Sequence, residues 1–202
     1  DLDIRGAGNL LGAEQSGFIT DMGFETYQKI LSEAMEELGV ETGLTSGNIK
    51  GSYVSDCTIE TDQLALIPDS YISLSAEKIR IYKELDSLGS DSEIETVKSR
   101  LEDRFGPIPE ELAALLMIVR IRHRGEKLGF EKIIIKNGIM ILFFINNPMS
   151  QYYKSPVFQS VIESLNKNHD FELKQNDNRL RLVNRKVESL DKAYALLGKL
   201  GK

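Results

Sequence analysis

The chain has 202 residues, of which 41% are apolar and 28% are charged, a balance typical of globular proteins and unlike that of disordered or fibrous ones. Its longest apolar stretch, residues 133–145, is interrupted by Lys136-Asn137-Gly138 and is shorter than the roughly 20 residues that span a bilayer, so no membrane segment is predicted. The 31 acidic residues outnumber the 25 basic ones, which argues against a dedicated nucleic-acid module, because phosphate binding needs a surplus of Lys and Arg.

The single cysteine and the first residues of the chain predict a cytoplasmic location. Cys57 has no second cysteine with which to form a disulfide, which suits a reducing compartment. No basic segment followed by an apolar one marks a signal peptide. The chain starts at Asp1, inside a Gly-rich polar run, and we therefore expect it to be a piece of a longer protein.

Residues 1–17 read DLDIRGAGNLLGAEQSG, and their glycines superficially resemble a dinucleotide-binding fingerprint. The third glycine is one place late and no buried strand precedes the first, so the fingerprint is not met. The chain also lacks a Walker-type G-x-x-x-x-G-K-[ST] motif and is not expected to hydrolyse ATP alone. Arg5 is a bidentate donor and Gln15 an adaptable amide, so the run suits contact with a phosphate or another domain as well as a tight structural loop.

Apolar residues recur at helical spacing from Phe24 to Leu38 and predict an amphipathic helix that ends at Gly39. Residues 39–51 are rich in Gly, Thr and Ser without a period, as expected for a linker between packed units. We therefore predict a first unit over residues 1–45 and a second unit over residues 46–202.

The second unit is predicted to begin with a strand, Tyr53 to Ile59, followed by helices. Ser75 has the residue type of a helix cap, and the pattern after it predicts a helix to Leu88. Ser90 and Glu93 have the spacing of a capping box, which predicts a second helix running to Phe105.

A third helix is predicted to start at Pro109, because the missing N–H costs nothing at the first turn. Its later turns carry the basic residues Arg120, Arg122, His123, Arg124 and Lys127. Cations are favoured near the negative end of the helix dipole, so we interpret this cluster mainly as structural.

The rest of the chain predicts hairpins alternating with helices. Lys132–Lys136 and Ile139–Ile145 flank Asn137-Gly138, a strong signal for a two-residue hairpin turn. Both strands are apolar on both faces, so we expect this hairpin to lie centrally in a sheet with substantial cover. A helix is predicted from Ser155-Pro156.

Residues 171–182 alternate apolar and polar side chains around Asn176-Asp177-Asn178 and predict a second hairpin. A last helix is predicted over residues 188–200. The predicted fold class is therefore α+β, with helices packed on a mostly antiparallel sheet built from hairpins, preceded by the loop and helix of the first unit.

No catalytic residues and no metal site are predicted. His123 and His169 are far apart in the sequence, without a Cys or a carboxylate at metal-ligand spacing, and we expect both to be solvated surface residues. The acidic pairs are typical of solvated helix faces and helix starts. We expect no cofactor in this chain.

The run that contains Arg5 and Gln15 resembles the loop of the translocation motif shared by transcription-repair coupling factors and the RecG helicase. The resemblance implies that these two side chains couple nucleotide hydrolysis in a motor to movement along duplex DNA. It also implies ATP and Mg²⁺ as ligands of the longer protein, bound by ATPase motifs outside this chain.

Three further runs resemble the carboxy-terminal domain of transcription-repair coupling factors and not RecG. They are residues 66–72 (LIPDSYI), 80–85 (RIYKEL) and 103–109 (DRFGPIP). The family implies a protein that displaces stalled RNA polymerase by ATP-driven translocation and recruits the repair protein UvrA. It also implies that the terminal domain is non-catalytic and autoinhibitory, restraining the motor and masking the intramolecular module that binds UvrA.

Two alternatives remain open at this point. The chain could be an independent DNA-binding adaptor with Arg120, Arg122 and Arg124 on phosphates, which predicts duplex binding with a steep salt dependence. It could also be a structural cap of a RecG-like helicase, in which case deletion would lower stability without changing partner binding.

Overall fold

The computed structural model describes residues 53–176 and 179–201. Its strands are β1 (Thr58–Thr61), β2 (Phe130–Lys136), β3 (Ile139–Phe144), β4 (Glu172–Asn176) and β5 (Arg179–Asn184). Its α-helices are α1 (Ser75–Ser87), α2 (Asp91–Phe105), α3 (Glu110–Leu128), α4 (Pro156–Lys167) and α5 (Leu190–Leu197), and a 3₁₀ helix covers Gln151–Lys154. The loop, the helix and the domain boundary predicted within residues 1–52 lie outside the described residues.

The five strands form one sheet in the order β1-β2-β3-β5-β4. β1 pairs with β2 in parallel, and the other three pairings are antiparallel. Helices α1 to α3 make the crossover from β1 to β2, as a parallel pair requires. The predicted α+β class with a mostly antiparallel sheet is confirmed.

The central hairpin is made by the predicted turn. Asn137 and Gly138 have φ of 52° and 71°, the left-handed conformation that a two-residue hairpin turn needs at both positions. β2 and β3 occupy the middle of the sheet, as predicted. The second predicted hairpin is also present, with Asn176 paired to Arg179 across β4 and β5.

Helices cover only one face of the sheet within the described residues. Ile133, Leu142 and Leu182 are aligned across β2, β3 and β5 and are fully buried in a sheet cluster with apolar residues of α3, α4 and α5. The intervening residues Ile134 and Ile141 are only half-buried. The predicted substantial cover of the sheet is therefore present on one face.

A second core, the helical cluster, joins α1, α2 and the first half of α3. It contains Ile81, Leu85, Leu101 and Leu112, all at most 2% exposed. Two hydrophobic cores thus share α3, which also supplies Ile118 and Ile121 to the sheet cluster.

The predicted capping box at the start of α2 is formed. Ser90 Oγ accepts a hydrogen bond from the Glu93 N–H at 3.3 Å, and Glu93 Oε2 accepts one from the Gly89 N–H at 2.8 Å. The bond from Gly89, together with one that the Ser90 hydroxyl donates to Glu93 Oε2 at 2.9 Å, holds the pKa of Glu93 below its usual value. Ser155 and Ser189 cap α4 and α5, each by accepting a hydrogen bond from the backbone N–H three residues later.

Four predicted boundaries are corrected. Pro109 is the extended cap of α3, with ψ of 159°, and the helix itself begins at Glu110. Ser75 is the first helical residue rather than the cap, because the Leu74 carbonyl accepts the first helical bond from the Lys78 N–H. The first strand covers Thr58–Thr61, where the register with β2 allows pairing, instead of residues 53–59. α5 is shorter than predicted, because Ser189 caps it and the chain turns after Leu197.

Gly129 is expected to be essential for the connection of α3 to β2. It has φ of 84°, and a Cβ at this position would lie 2.0 Å from Tyr152 Cε2, in a ring that is fully buried. Substitution with alanine should cost about 3 kcal/mol of unfolding free energy, since overpacking and the left-handed conformation add. The control Gly138→Ala, with a similar φ and no atom within 4 Å, should cost about 1 kcal/mol in urea unfolding. Equal losses in the two variants would contradict this account.

Candidate regulatory surfaces

The runs 66–72, 80–85 and 103–109 meet in the folded domain, where tyrosine hydroxyls form hydrogen bonds with backbone groups. The Tyr71 hydroxyl donates to the Leu101 carbonyl at 2.9 Å and to the Gly106 carbonyl at 2.8 Å, as two alternatives for one proton. The Tyr82 hydroxyl accepts from the Ile67 N–H at 2.9 Å. These bonds fix the segment after β1 against α1 and the end of α2, so the tyrosines have a structural role.

The buried lysine of α1 belongs to the same junction. Lys78 is 1% exposed and forms an ion pair with Asp69 in the run 66–72. A buried ammonium is costly unless it is paired, so removing Asp69 would leave an uncompensated charge. The pair therefore fixes the position of residues 66–72 relative to α1.

The basic cluster of α3 is bound to carboxylates of the same domain. Arg120 pairs with Glu95 of α2. Arg122 is 6% exposed and donates to Asp86 Oδ1 at 2.7 Å. Each of these arginines is thus held at a helix–helix junction, which favours the structural interpretation of the cluster over phosphate binding.

Arg124 ties α3 to both α2 and α5. Its guanidinium lies 3.9 Å from the ring centroid of Tyr194, and Nη2 lies 3.8 Å from Asp91 Oδ2. The Tyr194 hydroxyl donates to the same Asp91 carboxylate. Cation–π contact and ion pairing together connect the sheet cluster to the helical cluster at this point.

His123 is buried, so the prediction that both histidines are solvated is wrong for this one. It is 6% exposed, and neither ring nitrogen has a hydrogen-bond partner among the described residues. Burial disfavours the charged imidazolium, and Arg122 and Lys127 disfavour it further, so the pKa of His123 falls to about 4. Its position on a helix between two cores, which the sequence did not reveal, is the reason. His169 is exposed as predicted.

Glu126 lies one turn after Arg122 and near the buried Cys57. Burial raises the pKa of Glu126 to about 7, although Arg122 at 3.9 Å opposes that rise. Burial also raises the pKa of the Cys57 thiol, and Glu126 and Asp56 add to the effect. The thiol is therefore protonated at neutral pH and is not an activated nucleophile.

A groove of about 820 Å³ runs between the first half of α3 and the start of α5. Apolar side chains from α3, α5 and the loop after β1 line it, including Met117, Leu190 and Leu64, which is 63% exposed. Its acidic lining residues are Glu95, Glu110, Glu111, Glu188 and Asp191, against the two cations Lys98 and Arg120. The groove therefore suits a partner that presents an apolar side chain flanked by Lys or Arg.

Within residues 53–176 and 179–201, no three His, Cys, Asp or Glu side chains are grouped so that they could hold a metal ion. No helix in this part of the chain is long and apolar enough to cross a membrane. Arg5 and Gln15, the predicted translocation residues, lie outside the described residues.

The sequence matches the TRCF domain over residues 61–155. The transcription-repair-coupling factor of Rickettsia bellii is 38% identical over 74% of this chain and 13% of its own length. The Escherichia coli protein of the same name is 37% identical over 66% of this chain and 11% of its own length. The chain thus spans a little over a tenth of the length of the curated relatives that it matches.

A solved structure has the same fold. A chain described as the C-terminal domain of a transcription-repair coupling factor superposes with a TM-score of 0.59 at 23% identity, covering 70% of this chain and 88% of that chain. The predicted family resemblance is confirmed by these matches together.

His123 should contribute an acid-sensitive part of the stability, opposite in sign to the part that comes from the raised pKa of Glu126. The pKa of His123 is about 4 in the fold and near 6.5 when unfolded, so its contribution is complete above pH 6.5 and is lost as the pH falls toward 4. Between pH 7 and pH 5 this loss amounts to about 2 kcal/mol of unfolding free energy. We expect His123→Leu to remove that part of the pH dependence in urea unfolding, whereas the exposed control His169→Gln should retain it. An unchanged pH dependence in His123→Leu would disprove the assignment.

Proposed function

The chain carries a TRCF domain and belongs to the family of transcription-repair coupling factors, and we propose that it is the carboxy-terminal regulatory part of such a protein. In this proposal the longer protein is an ATP-dependent translocase on duplex DNA that displaces stalled RNA polymerase and recruits UvrA. The present chain contributes the end of the motor and a non-catalytic domain that restrains it.

The observation that carries the proposal is the structural use of the residues that define the family resemblance. Tyr71, Tyr82 and Asp69 bond to groups of the same domain, and they fix segment 66–72 against α1 and the end of α2. Because these characteristic side chains are used to hold the domain together, we infer that the domain acts through its shape and its surface. Masking another module is a function that requires only a shape and a surface.

The acid-lined groove is the surface that we assign to the masking contact. The contact must compete with UvrA and must also be released when the complex engages. A coupling free energy of about 1–3 kcal/mol between the masking contact and UvrA binding gives such a switch. An apolar contact with Met117 and the exposed Leu64, surrounded by carboxylates, is suited to this range. By linkage, any factor that favours the released state also favours UvrA binding.

The DNA-binding adaptor is the less favoured alternative. It needs arginines that are available to phosphates, whereas Arg122 is buried on Asp86 and Arg124 is stacked on Tyr194 beside Asp91. Phosphate binding by these residues would first have to break contacts between α3, α1, α2 and α5. The other alternative, a structural cap of a RecG-like helicase, differs from the masking proposal because it requires no contact with a UvrA-binding module.

Residues 1–45 belong to the motor in this proposal, with Arg5 and Gln15 as donors that sense its nucleotide state. We expect Arg5→Ala and Gln15→Ala in the full-length protein to leave ATP binding intact, because the phosphate site lies elsewhere. Polymerase displacement per ATP hydrolysed should fall at least about tenfold, equivalent to about 1.4 kcal/mol of lost coupling. Filter binding of ATP and a displacement assay measure the two effects. Normal displacement by both variants would remove these residues from the mechanism.

The masking function is tested by the affinity of the full-length protein for UvrA. Deleting the residues after about 50 should raise that affinity and the basal ATPase activity, while polymerase displacement remains possible. A coupling of 1–3 kcal/mol corresponds to roughly 5- to 150-fold in affinity.

A point variant separates masking from structural capping. Glu110→Lys combined with Glu188→Lys reverses two exposed charges at the groove and should reproduce part of the gain without unfolding the domain. The matched control is Glu163→Lys, an exposed charge reversal on α4, which should leave UvrA affinity unchanged. Equal UvrA affinity in full-length and truncated proteins would favour the structural cap.

A further inference from the structure

The face of the central hairpin that points away from the helices is apolar. Ile134, Ile139, Ile141 and Phe143 are half-buried there, and none of them belongs to the sheet cluster or the helical cluster. Ile134 is directly opposite Ile141 across β2 and β3, and Ile141 is opposite Val183 of β5. We call this surface the outward face.

Such a surface is unusual for an antiparallel sheet with one open side. Strands of that kind normally alternate apolar residues toward the core with polar residues toward water. Here the two central strands present isoleucine and phenylalanine in both directions. These adjoining side chains remain partly accessible, so the outward face is a surface on which an apolar stripe can pack.

The rim of the outward face is positively charged. Its cations are Lys132, Lys136, Lys174, Arg179 and Arg181, and its carboxylates are Glu60, Glu131 and Glu172. Both lysines of β2 pair with Glu60, Lys174 pairs with Glu172 and Arg179 pairs with Glu131. The five cations against the three carboxylates still leave a formal charge of +2. The Arg179 guanidinium lies 4.8 Å from the Phe143 ring centroid, so cation and apolar surface are adjacent. An occupant with an apolar stripe and acidic flanks fits this arrangement.

The chain itself contains such a segment. Residues 24–38 (FETYQKILSEAMEEL) are predicted to form an amphipathic helix with an apolar stripe, and they carry four glutamates and one lysine, a formal charge of −3. The acidic groove repels a segment of this charge, whereas the outward face attracts it. Of the two surfaces, only the outward face has the complementary sign.

The connection is long enough for this contact. Residues 39–52 can extend over about 45 Å, and they join the segment to Tyr53, five residues before the edge strand β1. Five strands at about 4.8 Å spacing are only about 19 Å across. A short tether also gives a local concentration in the millimolar range, so a weak contact is sufficient.

We propose that, in this 202-residue chain, the segment 24–38 packs its apolar stripe on the outward face. The glutamates of the segment then lie beside the lysines and arginines of the rim. Any element that takes the segment away, such as the remainder of a motor domain, uncovers the outward face. The proposal rests on the register, burial and charge of the sheet and does not depend on the groove or on UvrA.

Amide hydrogen exchange of the full 202-residue chain tests the contact. We expect residues 24–38 to exchange at least ten times more slowly than an isolated peptide of the same sequence. Ile134→Ser combined with Ile141→Ser should abolish that protection while the amides of α1 and α2 stay protected. The control Leu64→Ser removes an exposed apolar side chain at the groove and should leave residues 24–38 protected.

A second variant avoids any change in the sheet. Glu33→Lys combined with Glu36→Lys reverses two charges of the segment and should abolish protection of residues 24–38 at low salt. Exchange at the peptide rate in the unaltered chain, or protection that survives both double variants, would overturn the proposal. Protection that appears only with dimerisation in sedimentation measurements would also overturn it, in favour of a second copy as the occupant.

Discussion

Helix α3 packs against two hydrophobic cores at once, and the rest of the described structure depends on that double contact. Leu112, Leu115 and Val119 lie in the helical cluster. Ile118 and Ile121, on another side of the helix, lie in the sheet cluster. Each such side chain contributes about 1.5–3 kcal/mol when buried, and a helix that is apolar over so much of its surface is stable only when both sides are covered. The parallel pairing of β1 with β2 follows, because α3 completes the crossover between them.

The same double contact explains the unusual polar residues of α3. A helix that packs on two sides buries Arg122 and His123 and partly buries Glu126, although all three are polar. Asp86 compensates the buried charge of Arg122, whereas burial lowers the pKa of His123 and raises the pKa of Glu126, which favours the neutral form of each. A cluster that is basic in sequence is therefore largely neutralised in the fold. Charge counted along a chain predicts nucleic-acid binding only for side chains that remain exposed.

Local signals predicted most of the secondary structure, and long-range packing decided the features that the sequence left undetermined. The Ser90 capping box, Ser155-Pro156 and Asn137-Gly138 each act through bonds or dihedral angles within a few residues, so their effect could be read directly. The burial of His123 and the bounds of β1 depend on contacts with residues far away in the chain. The groove could not be predicted because its lining comes from α2, α3, α5 and the loop after β1. The paired acids Glu110 and Glu111 were its only local signal.

The domain separates charge of opposite sign onto two surfaces. Residues 1–52 hold 3 of the 25 basic residues and 9 of the 31 acidic residues of the chain. Residues 53–202 therefore hold 22 of each kind and are formally neutral. A neutral domain exerts little long-range attraction, so partners are distinguished by the local potential at each surface. The groove then favours cationic elements and the outward face favours anionic ones. At 0.1 M salt the electrostatic potential of each surface is screened over about 10 Å, whereas apolar contacts persist. Charge therefore selects the occupant, and apolar burial retains it.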